Sequence, residues 1–236
     1  MSRRYAFTLG LFLLCLPLLS AQAFAQSTER TRLEAEIDSL RAQLKIKEQE
    51  FLSPSAEDRA AFAEFLSQPR TGLVRLLPRE KYQQKMTTGG GGAFYSFSRL
   101  THEYGAGSDI ALEQNYLSVG FAGANFGYLV LLGDVPLKEV TSETDGVLFL
   151  AGLTTPSREP DARLQQRQAS DGVKHGEFTY QDRLPLSVGK TYVVRSVSYS
   201  QTDTLVAFRV VRQDADGSII LLWKTLKKFP VPQLTE

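Results

Sequence analysis

The chain has 236 residues, with 27 basic and 26 acidic side chains, and 42% of its residues are hydrophobic. This length and composition are typical of one globular domain with an appendage, not of a disordered or fibrous chain. The single cysteine, Cys15, excludes an intrachain disulfide and the cysteine clusters that bind structural zinc or iron–sulfur centres.

Residues 1–25 have the three parts of a cleavable secretory signal peptide. Arg3 and Arg4 give a positive start, and residues 5–19 are nearly all apolar but too few to span a bilayer. An Ala-Phe-Ala triplet then offers the small-x-small pattern of a cleavage site, which makes Gln26 the first mature residue. We therefore expect export to the periplasm or to the medium. The alternative, an uncleaved membrane anchor, lacks a following stop-transfer pattern.

Cleavage at that point changes the chemistry of the chain. Cys15 is lost, so the mature chain has no thiol, and removal of Arg3 and Arg4 leaves 25 basic against 26 acidic residues. A nearly neutral surface gives no electrostatic reason to expect nucleic acid or an anionic membrane as a partner. We expect no transmembrane span in the mature chain, and no motif predicts a cofactor.

Residues 26–52 are expected to form an amphipathic helix with a short coiled-coil pattern. Its apolar positions alternate at spacings of four and three, and they are Leu33, Ile37, Leu40, Leu44 and Phe51. Lys47 breaks this seam, whereas Glu36 and Arg41 fall at g and e positions that pair between two parallel helices. The pattern predicts a homo-oligomer through this helix. The alternative is a helix packed on its own domain, because fewer than three heptads are marginal.

Residues 53–71 are expected to hold a short second helix and a linker. A Ser-Pro-Ser break ends the first helix, and Ser55 with Asp58 gives a capping-box start to the next one. Phe62 and Phe65 lie on one face of this second helix and need a surface to pack against. We therefore place it on the globular domain.

Residues 72–230 have the pattern of a β-rich globular domain, followed by a C-terminal tail at residues 231–236. Runs of β-branched and aromatic residues between turn-forming residues predict strands. These strands cover residues 73–77, 93–100, 116–122, 126–132, 147–153, 176–180, 191–199, 205–212 and 218–226. No long amphipathic helix is predicted between them, so we expect an antiparallel β-sandwich or barrel-like domain behind the helical segment. Residues 154–172 are expected to be a long surface loop, and residues 213–217 a hairpin turn.

The densest group of reactive side chains lies at residues 100–109. Its hydrogen-bonding and stacking groups are typical of a binding loop, and they are His102, Glu103, Tyr104 and Asp109. The same residue types, with Ser108, also serve as base, orienting group and nucleophile in hydrolases, although no Gly-x-Ser-x-Gly elbow surrounds this serine. A binding loop, an active site and a structural turn all remain open interpretations.

Other patterns indicate chemistry more weakly. Four glycines at residues 89–92 allow a phosphate loop, but no Lys-Ser/Thr follows them, so a linker or strand entry is favoured. His175 joins His102 at a metal only if the fold brings the two together, and we predict no metal. The Asp-x-Asp-Gly spacing at residues 214–217 lacks the other ligands of a calcium loop. Aromatics among glycines at residues 116–128 are expected in the core and not in a ligand groove.

The sequence as a whole predicts a non-enzymatic envelope or secreted binding module with a protein or carbohydrate partner. One alternative is a hydrolase built around His102, which requires a perturbed histidine in a concave pocket. The other is a purely structural envelope component, which requires neither a pocket nor a reactive cluster.

Overall fold

The computed structural model describes the backbone of residues 8–105 and 107–235, and side chains from residue 28 onward. Two compact units are present, Met1–Lys47 and Glu48–Glu236. The predicted signal peptide falls on residues 1–25, outside the residues whose side chains are described. Within the described side chains, no helix combines the length and the apolar character needed to cross a membrane.

The first helix, α1 (Thr8–Leu52), has 45 residues and ends where Pro54 prevents its continuation. Every described side chain of the α1 segment that lies in the first unit, residues 28–47, is exposed. Ion pairs three residues apart support this exposed helix, and they join Glu29 to Arg32 and Asp38 to Arg41.

The last turn of α1 belongs to the second unit and is fixed there by Glu48. The Glu48 carboxylate accepts hydrogen bonds from the Thr87 N–H at 2.6 Å, the Thr87 hydroxyl at 2.7 Å and the Thr88 hydroxyl at 2.8 Å. Burial raises the pKa of Glu48, but these hydrogen bonds outweigh it and hold the pKa below its ordinary value. One turn further on, Leu52 is buried.

Two short helices follow, α2 (Ala56–Ala61) and α3 (Ala63–Leu66). The capping box is in place, because Ser55 and Asp58 each accept a hydrogen bond from the other's N–H. The sequence predicted one helix here, and the chain instead breaks at Phe62, whose φ of −113° is not helical. Phe62 and Phe65 both pack against a core cluster of the domain.

In the described part of the chain, eleven strands form three antiparallel sheets. The first sheet contains, in spatial order, β1 (Thr71–Leu76), β11 (Ile219–Lys228), β10 (Thr202–Gln213), β9 (Thr191–Ser198) and β5 (Phe126–Gly133). The second contains β2 (Phe94–Tyr95), β3 (Ile110–Glu113), β4 (Tyr116–Ser118) and β8 (Arg183–Pro185). The third contains β6 (Val173–His175) and β7 (Phe178–Tyr180). In the described chain β1 and β5 remain edges of the first sheet, so no closed barrel forms.

The first sheet is the part of the fold that the sequence predicted best. All five of its strands were expected, with ends shifted by a few residues, and the β10–β11 hairpin is present. Its turn uses Gly217 at a φ of 88°, a conformation that glycine adopts without strain. Two strands of the second sheet, β2 and β4, are shorter than expected. The predicted strand at residues 93–100 pairs only briefly, because the Phe97 N–H donates to the Asp109 carboxylate and Leu100 adopts a φ of 57°.

Two expectations for the middle of the chain are wrong. Residues 147–153 were expected as a strand but contain helix α5 (Leu148–Gly152). The prediction failed because an unbroken apolar run has no periodicity that distinguishes a helix from a strand. The expected loop at residues 154–172 contains helix α6 (Glu159–Asp171), with proline in its first turn. The face that α6 buries consists of two alanines, Ala162 and Ala169, so its apolar stripe is too narrow to be conspicuous in a polar sequence.

The strands of the first sheet contribute alternate residues to two hydrophobic clusters. Phe208 of β10 belongs to a cluster that also contains Ile110 and Leu117 of the second sheet. Leu205 and Ala207 belong to another, which contains side chains of α5, α6 and the third sheet. This alternation follows from the two-residue period of a strand.

A buried ion pair joins β9 to β10. Arg195 and Asp203 have side chains that are each 2% exposed. The Arg195 Nε and Nη2 donate to the two carboxylate oxygens at 3.0 and 2.9 Å. Thr155 completes the group, because its hydroxyl donates to Asp203 at 2.6 Å and accepts from Arg195 Nη2 at 3.1 Å.

The same guanidinium contacts two further segments. Its Nη1 donates to the carbonyls of Leu150 and Leu153, at 2.7 and 2.6 Å, at the end of α5. The Phe229 ring, just past β11, lies 3.7 Å from the Arg195 Cζ. An arginine has five N–H donors, and here all five have acceptors inside the protein.

We expect Asp203→Asn to lower the free energy of unfolding by about 3–5 kcal/mol, because it leaves a buried guanidinium charge without its counterion. Urea denaturation of the protein near neutral pH measures this change. The matched control is Glu159→Gln, which removes one partner of an exposed ion pair with Arg163 and is expected to have no measurable effect. A loss for Asp203→Asn as small as that of the control would contradict a structural role for the pair.

Candidate functional site

The structure separates the four residues of the predicted binding loop. His102 is partly buried, and its Nε2 lies 2.8 Å from the Arg75 carbonyl oxygen. Glu103 and Tyr104 are exposed, whereas Asp109 is completely buried. The loop therefore does not present these side chains as one group.

The hydrogen bond of His102 determines what its ring offers to a ligand. The Arg75 carbonyl can only accept, so Nε2 carries the proton and Nδ1 of the neutral ring is an acceptor. Burial lowers the pKa of His102, while the hydrogen bond to Arg75 opposes this effect. The ring packs edge-on against Tyr95, with centroids 5.0 Å apart. At neutral pH His102 is thus an uncharged side chain held in one orientation.

His102 lines a cleft of about 210 Å³ in the second unit. Apolar side chains form much of its wall, with Leu52 from the end of α1 and Leu73 and Val74 from β1. Arg59 of α2 is its one formally charged lining residue at neutral pH. The cleft therefore joins an apolar wall, a neutral histidine and a cation.

Leu100 also lines this cleft and is unusual in two ways. It adopts a left-handed φ of 57°, which costs a non-glycine residue roughly 1–2 kcal/mol. Its side chain is 62% exposed, the highest value among the exposed large hydrophobic residues described. A strained and exposed leucine beside a cleft is an indication of a binding role, since strain of this kind is concentrated at functional sites.

The groups that a hydrolase needs do not meet at this cleft. Neither Glu103 nor Ser108 lines it, and the Ser108 hydroxyl donates instead to the Glu103 carbonyl at 2.7 Å. Ser53 does line it, but its hydroxyl donates to the Gln49 carbonyl at 2.8 Å. Among the described side chains, no hydroxyl hydrogen-bonds to His102.

Asp109 has a structural role in holding the loop. Its Oδ2 accepts from the Phe97 N–H at 2.8 Å, and within the described residues its Oδ1 forms no hydrogen bond of normal geometry. Burial raises the pKa of Asp109 to about 6, although the Ser196 hydroxyl and the Phe97 N–H oppose the rise. The Asp109 carboxylate is the acceptor for the Phe97 N–H, in place of a backbone carbonyl from a neighbouring strand.

The glycine run at residues 89–92 forms one tight turn after helix α4 (Arg79–Tyr82). Gly91 has a φ of 66°, and a Cβ there would lie 2.5 Å from the Gln83 nitrogen. A Cβ at Gly90 would meet the Phe94 ring and one at Gly92 the Leu52 side chain, so close packing explains these glycines and the phosphate-loop interpretation finds no support.

The remaining patterns are also explained by local structure. The Asp214 carboxylate pairs with Arg75 and Arg212. The Asp216 carboxylate accepts from Ser218 and Tyr82, so the hairpin turn uses both aspartates. Among the described side chains, no group of three or more His, Cys, Asp or Glu residues is placed to hold a metal.

His175 and the aromatic run at residues 116–128 serve packing. The His175 ring stacks on Phe149, with centroids 5.1 Å apart. Phe126 and Tyr128 are buried in the core, and Phe121 packs against a smaller buried cluster. Phe126 and Tyr128 are thus core residues, as the sequence indicated, whereas Phe121 is partly buried and Tyr116 is exposed.

A second candidate surface lies on α1 in the first unit. Four apolar side chains at heptad positions are 45–58% exposed, and we call Leu33, Ile37, Leu40 and Leu44 the α1 stripe. Phe51, the fifth residue of the predicted seam, lies in the second unit and packs its ring 5.6 Å from that of Tyr82. Phe51 is itself 43% exposed, and it is left out of the stripe because it belongs to the second unit.

Sequence reasoning identified His102 but missed Arg59 and Leu52 as its neighbours. The cleft joins segments that are far apart in the chain, and neither residue belongs to a motif. The positive φ of Leu100 has no sequence signal either, because left-handed residues are normally Gly, Asn or Asp.

Comparisons with protein-family models, with curated proteins and with solved structures find no match to this chain. Function is therefore inferred from the cleft and the α1 stripe themselves.

We expect Asp109→Asn to raise the free energy of unfolding at pH 7.5 by about 1–3 kcal/mol, because an amide avoids burying a charge. The folded pKa of about 6 lies above the ordinary value of an aspartate, so the folded state retains a proton that the unfolded state has lost. In the native protein Asp109 consequently destabilises the fold progressively as the pH rises from about 4 to about 6. Urea denaturation of both proteins at pH 4.5 and 7.5 is the measurement.

The advantage of D109N is expected to be larger at pH 7.5 than at pH 4.5, and an advantage independent of pH would contradict this account. Asp216 is the control. Burial raises its pKa, but hydrogen bonds from Ser218 and Tyr82 outweigh burial and hold the pKa at about 2. We therefore expect D216N to be less stable than the native protein at both pH values.

Proposed function

We propose that this protein is an exported, non-enzymatic interaction module that self-associates through α1 and binds its partner through the loops of its β-rich domain. The observation that carries self-association is the α1 stripe, in which four successive heptad positions expose apolar side chains. Exposed apolar rows of this kind mark interaction surfaces.

A second copy of the chain is the occupant that the stripe fits. Ile37 and Leu44 take a positions and Leu40 a d position, and the β-branched Ile37 at a with Leu40 at d is a combination that favours two strands. Glu36 at g and Arg41 at the following e bring opposite charges together between parallel helices. Arg41 contacts Asp38 of its own helix at 3.3 Å, but both side chains are about three-quarters exposed, so Arg41 stays accessible.

The separation of the reactive groups supports a binding role over catalysis. His102 lines the cleft without the carboxylate or the nucleophile that a hydrolase requires. The cleft also favours a binding module over a purely structural component. The partner class inferred from the sequence, a protein or a carbohydrate, remains our proposal.

We further propose that the first and second sheets form a β-sandwich. Support comes from the cluster that combines Phe208 and Trp223 of the first sheet with Ile110 and Leu117 of the second. Export is proposed from residues 1–25 alone, on the basis of their charge, apolar run and small residues.

We expect light scattering of the protein beginning at Gln26 to give the mass of a dimer. The double substitution Ile37→Glu and Leu44→Glu should give a monomer, because it places charges at two a positions of the seam. The matched control is Ile46→Glu. Ile46 is 55% exposed on the same helix but lies at a c position, so this variant should remain a dimer.

A native protein that is monomeric at all concentrations would contradict self-association. Charge reversal then tests the pairing of the helices: E36K and R41E should each weaken the dimer, and the double variant should restore it. Leu40→Cys tests orientation, because a parallel pair brings the two d-position thiols together and an antiparallel pair does not.

We expect the full chain, expressed in a bacterium, to be recovered outside the cytoplasm with an intact mass that begins at Gln26. Leu13→Arg with Leu14→Arg should leave it uncleaved in the cytoplasm, because it interrupts the apolar run of residues 5–19. Ala21→Ser, which changes neither the apolar run nor the cleavage triplet, is the control and should be exported. Native protein that keeps its N-terminus would contradict cleavage.

A further inference from the structure

The geometry points to a ligand for the His102 cleft: an apolar α-amino acid unit with a free carboxylate, as at the C-terminal residue of a peptide or in a free apolar amino acid. This inference rests on the proposed function only in taking the protein to be a binding module. It does not depend on whether two copies associate. Four features of the cleft support it.

The first feature is size. At about 210 Å³ the cleft is smaller than the roughly 300–1,000 Å³ typical of pockets for larger organic ligands. It is suited to a group about as large as one amino acid. Its apolar wall, from Leu52, Leu73 and Val74, offers an aliphatic or aromatic side chain a place to be buried.

The second feature is charge. No aspartate or glutamate lines the cleft, His102 is neutral at neutral pH, and Arg59 therefore makes its lining positive. Within the described residues, Arg59 has no ion pair, unlike Arg75, Arg195 and Arg212. A guanidinium binds a carboxylate through two parallel hydrogen bonds, which makes a carboxylate the anion that Arg59 fits best.

The third feature is the acceptor on His102. Because Nε2–H is bound to the Arg75 carbonyl, Nδ1 can take an N–H from a ligand. Within the described residues no hydrogen bond to Nδ1 is present. The amide N–H of a C-terminal residue, or the ammonium group of a free amino acid, supplies this donor beside the carboxylate.

The fourth feature is Leu100, whose exposed side chain borders the cleft at a strained φ of 57°. A ligand with an apolar side chain would contact Leu100 and remove part of it from water. An amino acid unit therefore matches the apolar wall, the cation, the acceptor and this leucine together. A neutral sugar has no anion for Arg59 and no apolar side chain for Leu100.

Calorimetric titration of the protein from Gln26 to Glu236 with acetyl-Gly-Gly-Leu tests the inference. We expect saturable binding, and we expect acetyl-Gly-Gly-Leu-amide, which lacks the carboxylate, to bind at least tenfold more weakly. Arg59→Gln should weaken binding of the acid at least tenfold and should leave the weak binding of the amide unchanged. Because Arg59 is exposed, this variant is expected to fold normally.

Arg167→Gln is the matched control, since Arg167 is an exposed arginine on α6 outside the cleft, and it should bind as the native protein does. Free L-leucine distinguishes the two sources: equal affinity for leucine and the peptide indicates a free amino acid, and binding of the peptide alone indicates a peptide end. Equal binding of acid and amide, no effect of R59Q, or no binding of either probe at millimolar concentration would overturn the inference.

The titration is repeated with the Ile37→Glu and Leu44→Glu variant. Binding by this variant supports the cleft assignment even if the native protein proves to be monomeric. Failure of the ligand and failure of self-association are thus separate results.

Discussion

The buried pair of Arg195 and Asp203 is the interaction on which the rest of the domain depends. Removing two charges from water is costly, and the structure offsets that cost by satisfying every N–H of the guanidinium. The acceptors lie in β10, at the end of α5 and in the segment after it, and Phe229 covers the group. One side chain therefore fixes several segments that no disulfide can join. It also leaves no N–H of Arg195 free for a ligand in the neighbouring cavity of about 330 Å³.

Much of the first sheet was predictable because its strands are long, apolar and bounded by turn residues. The errors have definite physical causes. Residues 147–153 form a helix whose terminal carbonyls are used by Arg195, and that tertiary contact is invisible in a local pattern. The face that α6 buries consists of Ala162 and Ala169, so the sequence of this helix has no conspicuous apolar pattern. The strand expected at residues 93–100 is shorter in the structure. The Phe97 N–H donates to the Asp109 carboxylate, and not to the carbonyl of a neighbouring strand.

The candidate site was predictable only in part. His102 was predicted from its position in a glycine-bearing loop, and the structure places it at a cleft. Its supposed companions were chosen because they are adjacent in sequence, and the fold uses Asp109 and Ser108 to hold the loop. Leu100 belongs to the same segment as His102, but Arg59 and Leu52, which also line the cleft, come from segments far away in the chain. Only the tertiary structure shows that they belong together.

The hydrogen bonds from Thr87 and Thr88 to Glu48 bear on how proteolysis would affect the protein. The described side chains of α1 before Glu48, at residues 28–47, are all exposed, so this segment is accessible to nicking. A cut between Leu44 and Glu48 would release the α1 stripe and leave the wall at Leu52 in place, so the remaining domain would keep its cleft. A cut after Leu52 would remove that wall as well. The position of the cut would thus decide whether the remaining domain keeps the complete wall of its cleft.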